Sequence, residues 1–274
     1  MMTVTPVLSY AGYYGLTFER FMEEAHRLGY RAVELIPDQT PNLLGELTAE
    51  RRSGLASLSR ELGIVPYVHS IFYDLNPVSV VPEVRDHSMA VIRRCAELCL
   101  ELGGHTITAH PGYQFPGWSS SDWQASVFLD AVGKAREALS DLADSLPVNL
   151  FLENGSYFLT TKESDHRRPL HYGVAIDELE RLLAGASPRV GLCLDIGKAA
   201  ASKLDPAAMI RSADGHPIRF QVGSVDGWDE AMAVGLELGV FQGPSQITYE
   251  GPRAGAEQFL DYARLCWNTA RPQG

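Results

Sequence analysis

Three acidic residues close short apolar runs that lie far apart in the chain: Glu153 ends "NLFLE", Asp195 ends "VGLCLD" and Glu250 ends "QITYE". Burying an unpaired carboxylate is costly, so each must meet a partner or water. Gathered at one mouth the three would repel, and some would take up protons unless a cation joined them. A divalent metal resolves that repulsion, and the amide oxygen of Gln221, in "IRFQV", would complete an oxygen-only set. Hard oxygen donors favour Mn²⁺ or Mg²⁺. Co²⁺ and Zn²⁺ stay open, although Zn²⁺ is less natural without His or Cys among its ligands. Taken singly, each carboxylate reads better as a solvated strand terminus. Three at equivalent ends of a repeat point to a site.

The repeat is visible along the chain. Amphipathic stretches end in Leu-Gly and run into a short apolar segment, as in "AHRLGYRAVELI", "SRELGIVPYVHS", "LELGGHTITAHPG" and "GLELGVFQGPSQITYE". Glycine takes the left-handed conformation that commonly closes a helix. The segments that follow are rich in Val, Ile and Thr, as buried parallel strands are. Strands are expected at 5–9, 32–36, 65–69, 106–110, 149–153, 190–195, 218–222 and 246–250. Helices are expected between them, at 18–28, 48–62, 84–102, 121–146, 174–184, 206–212, 229–238 and 255–269. Eight strand–helix units in 274 residues predict an α/β fold, a single (β/α)₈ TIM barrel spanning 1–274 as one domain. A doubly wound open sheet is the alternative. In a barrel the C-terminal strand ends share one face, where active sites are built.

Several readings fall away. Gly191 and Gly197 are separated by five residues, and Ala199 stands where a phosphate-binding loop needs a hydroxyl, so "GLCLDIGKA" is not such a loop. A formal charge of −11 argues against a nucleic-acid partner. No apolar run is long enough to span a membrane. The first residues lack the pattern of a signal peptide, which makes a cytoplasmic enzyme the expectation. Cys95, Cys99, Cys193 and Cys266 show no metal-knuckle spacing.

The strand-end signatures "YVHS", "TAHPG", "LFLENG", "LCLDIG" and "ITYEGP", in that order, resemble the sugar isomerase/epimerase superfamily of xylose-isomerase-like barrels. That superfamily includes ketose 3-epimerases, hydroxypyruvate isomerase, inosose dehydratase, 3-dehydroshikimate dehydratase and endonuclease IV. The resemblance implies one divalent metal on Glu153, Asp195, Gln221 and Glu250, with the two glutamates as acid and base. Two departures stand out. Lys198 replaces the histidine that usually follows the strand-six aspartate, and Gln221 replaces the usual strand-seven histidine. Glutamine there resembles some 3-dehydroshikimate dehydratases, and "GSVDG" lacks the Glu and Arg usual in ketose 3-epimerases.

These residues predict an enzyme that abstracts a proton beside the carbonyl of a small sugar-like or polyol-derived α-hydroxyketone and passes through an enediolate. Isomerisation or epimerisation leads, with a metal-dependent dehydratase next and a non-catalytic barrel serving as a binding or partner subunit third. Glu153 and Glu250 are the proton-handling pair, and Asp195 and Gln221 serve as ligands only. His69, His110 and Lys198 are expected to bind substrate, the lysine facing a carboxylate, a phosphate or a developing oxyanion. Basic residues after strand five (Lys162, His166, Arg167, Arg168 and His171) hint at an anionic polyhydroxy substrate, and Tyr113, Phe115 and Trp118 after strand four are candidate pocket caps. A homo-oligomer is left open.

Overall fold

A computed structural model of the protein describes residues 3–114, 122–155, 171–213, 215–242 and 244–269. Eight parallel strands close into one barrel in simple sequential order. They are β1 (Thr3–Ser9), β2 (Ala32–Leu35), β3 (Val65–His69), β4 (Thr106–Ala109), β5 (Asn149–Glu153), β6 (Val190–Asp195), β7 (Ile218–Val222) and β8 (Pro244–Tyr249). Closure comes from β1 on β8, in register from Thr3 opposite Pro244 to Leu8 opposite Tyr249. The open-sheet alternative is thereby excluded.

The helices lie between the strands: α1 (Phe18–Leu28), α2 (Ala49–Leu62), α3 (Pro82–Glu101), α4 (Asp122–Ser145), α5 (Ile176–Leu183), α6 (Ile196–Ala201), α7 (Pro206–Ser212), α8 (Val225–Glu237) and α9 (Ala256–Thr269). The local grammar explains their limits. Thr17 and Thr48 cap the starts of α1 and α2, each hydroxyl accepting a backbone N–H from the first turn. Gly29 and Gly63 close the same helices at φ 94° and 63°, where a side chain would be strained. One helix was not foreseen. α6 starts directly at the end of β6, and Asp195 caps it by accepting the Lys198 backbone N–H at 2.9 Å.

The main core lies between the helices and the outer face of the strands, with Phe18, Phe21, Trp228 and Phe259 among its fully buried members. A small separate cluster, Val7, Ala32 and Tyr67, comes from β1, β2 and β3. Among the described residues no helix is long and apolar enough to cross a membrane.

Candidate active site

Eight side chains of the C-terminal face define the mouth: Ser9 ending β1, Glu34 on β2, His69 ending β3, His110 just past β4, Glu153 ending β5, Asp195 ending β6, Gln221 on β7 and Glu250 just past β8. The strand ladder continues far enough to fix the last of these, since the Glu250 backbone N–H donates to the Val222 carbonyl at 2.9 Å.

Glu153 is the hub, 1% exposed. Its Oε2 accepts from His69 Nε2 at 2.8 Å and from His110 Nε2 at 3.1 Å. Its Oε1 accepts from the Lys198 ammonium, which also lies 3.5 Å from Asp195 Oδ2. Lys198 reaches inward because α6 begins so early. Asp195 caps the helix, and the lysine three residues on turns back over the strand end. A cation near a helix N-terminus opposes the helix dipole, so the carboxylates hold it there.

Hydrogen bonding fixes the protonation of His69. Nδ1 lies 2.7 Å from the Ser70 carbonyl, which can only accept, and Nε2 faces a carboxylate. Both ring nitrogens therefore carry protons, and the ring is an imidazolium. Burial alone would lower this group, but the bond to Glu153 and its charge outweigh burial and push the imidazole up to about 9. His110 differs. Burial dominates, with the Lys198 charge adding to it against the pull of Glu153, and its imidazole falls to about 4. The contact with Glu153 is thus a hydrogen bond from a neutral ring and not an ion pair. Burial would raise the Glu153 carboxyl, yet Lys198, His110 and His69 together hold it well below the usual range.

Glu250 sits in the opposite environment. Burial and the charges of Glu153 and Glu34 push its carboxyl up to about 8. Its Oε1 accepts from Gln221 Nε2 at 3.0 Å and from Ser9 Oγ at 3.4 Å. The same Gln221 amide donates to Glu34 Oε2 at 3.2 Å, while Gln221 Oε1 is buried without a hydrogen bond. Asp195 is also raised, burial being the largest cause. Glu153 and Glu250 are thereby pushed in opposite directions within one mouth, which is how acid and base roles are divided.

The aromatic wall of the mouth includes His110, 5.3 Å from the Phe72 ring and 5.8 Å from His171, which in turn lies 4.9 Å from Tyr113. Phe115, Trp118, Lys162, His166, Arg167 and Arg168 lie outside the described residues.

The structure brings Glu153, Lys198, His69, His110 and Asp195 together, and joins Gln221 to Glu250 beside them. Of the expected oxygen-only set, Glu153, Asp195 and Glu250 do not have ligand atoms all within 4.8 Å of one another. The group of described His, Cys, Asp and Glu side chains with ligand atoms all within 4.8 Å of one another is His69, His110 and Glu153. That spacing would admit an ion, but His69 spends both nitrogens as donors and Lys198 already holds the other oxygen of Glu153. As arranged, these groups do not fit a divalent metal.

Sequence reasoning passed over Arg219, Asn154 and Asp38. Arg219, 1% exposed inside the barrel, donates to Glu34 at 2.9 Å, to Thr108 Oγ1 at 2.6 Å and to Thr248. Alternation along "IRFQV" puts it on the face of Gln221, a signal that was available. Asn154 ties β5 to β6, accepting the Asp195 N–H at 2.6 Å. Asp38, in the loop after β2, has a carboxyl raised by burial and opposed by the charge of His69.

Residues 22–239 match the model of the xylose isomerase-like TIM barrel family. The chain belongs to that family. Among solved structures, a D-tagatose 3-epimerase-like protein superposes with a TM-score of 0.76 at 20% identity, covering 97% of this chain and 100% of the other. D-psicose 3-epimerase from Clostridium cellulolyticum H10, solved with D-tagatose, gives 0.72 at 16% identity over 95% and 98%. A Thermus thermophilus protein, TTHB071, soaked with zinc chloride, gives 0.66 at 19% over 99% and 100%. An uncharacterized Methanocaldococcus jannaschii protein, MJ1311, is 32% identical over 87 residues, 32% of this chain and 29% of that protein's length. The structural likenesses establish the fold. In this member of the xylose isomerase-like family a lysine lies among the mouth carboxylates.

Proposed function

We propose that the protein is a sugar isomerase or epimerase acting on a small polyhydroxy ketone, moving a proton at the carbon beside the carbonyl. One observation carries the reading: at one mouth Glu153 accepts from Lys198, His69 and His110, which hold it ionised, while Glu250 accepts from the neutral Gln221 amide and Ser9 hydroxyl and is pushed up to about 8. The solved structures that resemble this chain include a D-tagatose 3-epimerase-like protein and a D-psicose 3-epimerase.

Glu153 takes the proton from carbon, and the C–H electron pair moves into the carbonyl to leave an enediolate oxygen. Glu250 then gives its proton to the opposite face of the same carbon as the oxyanion re-forms the carbonyl, inverting that centre; alternatively it protonates the neighbouring carbon while the adjacent hydroxyl proton passes to the former carbonyl oxygen, which moves the carbonyl. Glu153 ends protonated and Glu250 ionised, and exchange with water resets both. The buried network that fixes Glu250 through Gln221 supplies orientation, which accounts for much of the rate an enzyme achieves.

A dehydratase shares the first half of this scheme, and the neutral Glu250 carboxyl favours keeping it as a second reading. An acid of that kind can protonate a departing β-hydroxyl.

The test is incubation with D-tagatose, D-psicose and L-ribulose in D₂O. Deuterium entering the carbon beside the carbonyl, followed by NMR, supports the reading, whereas an ultraviolet band from a conjugated enone supports elimination. Glu250→Gln should lower turnover by roughly 10²–10⁴-fold, the usual contribution of a positioned acid or base. Exchange at the wild-type rate in Glu250→Gln would remove that residue from the mechanism.

A further inference from the structure

We propose that the Lys198 ammonium performs the electrostatic work of a divalent cation in this barrel, so that the protein binds no catalytic metal. The assignment takes its chemistry from the isomerase reading above, while its prediction about metal stands apart from that reading.

Glu153 and Asp195 bring two carboxylates to one mouth beside Glu250, and such a cluster demands a counter-charge. The structure supplies one from the chain itself. Lys198 Nζ bonds Glu153 Oε1 and lies 3.5 Å from Asp195 Oδ2, spanning two of the carboxylates expected to share an ion. The other Glu153 oxygen is taken by two ring N–H donors. A divalent ion bound by Glu153 and Asp195 would have to displace the ammonium from between them, and two cations at that spacing repel.

The geometry also gives Lys198 a part in the reaction. Its side chain is 28% exposed while that of Glu153 is 1% exposed, so the ammonium lies on the solvent side of the hub, where a ligand would enter. A ketose whose carbonyl oxygen meets that ammonium has its developing oxyanion stabilised by a charge-assisted hydrogen bond. The same movement draws the ammonium off Glu153, leaving that carboxylate more able to take the proton from carbon. A metal ion polarises a carbonyl in the same sense, by placing positive charge at the oxygen. A lysine does so with a charge that travels on a flexible stem.

The experiment measures metal on the protein as purified, by mass spectrometry, and thermal stability with EDTA or with Mn²⁺, Mg²⁺, Co²⁺ or Zn²⁺ chloride. The wild type should carry well under one equivalent of any of these metals and show no shift in melting temperature with either addition. Lys198→Ala should gain Mn²⁺ affinity by roughly tenfold or more, the scale on which neighbouring groups tune metal sites. Lys198→Arg, which keeps the charge, should stay metal-free. One tightly held equivalent on the wild type, or unchanged Mn²⁺ affinity in a folded Lys198→Ala, overturns the proposal. Should Lys198→Ala fail to fold, the wild-type measurement decides alone. A metal-free protein without ketose turnover would sink the isomerase reading and leave this one standing. A metal-bound protein with turnover would do the reverse.

Discussion

Arg219 shows how much of the mouth depends on charges below it. Its guanidinium meets Glu34, 0% exposed, and Glu34 in turn accepts from the Gln221 amide that holds Glu250. The series therefore runs from a buried ion pair on β2 and β7 to a proton-handling carboxyl past β8. Breaking a buried pair by removing one partner strands the other charge and typically costs about 3–5 kcal/mol, whereas removing both can be nearly neutral. Arg219→Met should accordingly lose stability on that scale in urea unfolding. Combining it with Glu34→Gln should recover most of the loss. A single substitution costing under about 1 kcal/mol would mean that the pair does not support the fold in the way its burial implies. Thr108 and Thr248 add neutral acceptors, which explains why one arginine can be enclosed among strands.

The elements follow from local chemistry more directly than the site does. Short apolar runs, four of them following Leu-Gly helix ends, located all eight strands, and β3, β5, β6 and β7 have the expected limits. Strand ends also indicated which residues share a face, as His69 and Glu153 do in their hydrogen bond and Glu153 and Asp195 do in meeting Lys198. Two things were not legible. The direct passage of β6 into α6 depends on Asp195 serving as a cap, and a capping aspartate looks the same in sequence as a ligand. Whether Lys198 points to solvent or inward is then set by the turn of that short helix, not by residue type. Packing between strands was equally hidden. A Cβ added at Gly191 on β6 would lie 2.2 Å from the Pro217 carbonyl oxygen just ahead of β7. Gly191→Ala should therefore push these strands apart and cost about 1–3 kcal/mol, as overpacking does. Gly54, exposed in α2 with open space around it, is the control. Its replacement by Ala should stabilise by about 0.5–1 kcal/mol through helix propensity. Equal outcomes in thermal unfolding of the two variants would contradict the close approach at Gly191.

For the whole molecule, the site charges dictate how stability varies with pH. His69, raised to about 9 from an ordinary 6.5, contributes fully below 6.5, and that contribution is lost as pH rises to 9. Glu250, raised to about 8 from 4.5, favours the folded state most below 4.5 and loses that advantage up to pH 8. Between 6.5 and 8 the two act together, so the folded state binds up to two protons more than the unfolded chain. Each such proton tilts stability by about 1.4 kcal/mol per pH unit. His110 has the opposite sign. Lowered to about 4, it contributes above 6.5 and weakens the fold as pH falls, which offsets Glu250 between 4.5 and 6.5. Glu153, held well below 4.5, adds its own loss on further acidification. The expected profile is flat from about 4.5 to 6.5 and falls steeply to alkaline pH. General repulsion in a chain of charge −11 would also weaken the fold at high pH, so the wild type alone does not isolate the site. Glu250→Gln separates the two causes, because it removes one titrating group and leaves the repulsion almost unchanged. Its melting temperature should gain on that of the wild type as pH rises from 4.5 to 8, by on the order of 2–4 °C for each kcal/mol, and run parallel above that. A constant difference across the whole range would mean that Glu250 titrates alike in the folded and unfolded chain, and the division of labour between the two glutamates would go with it.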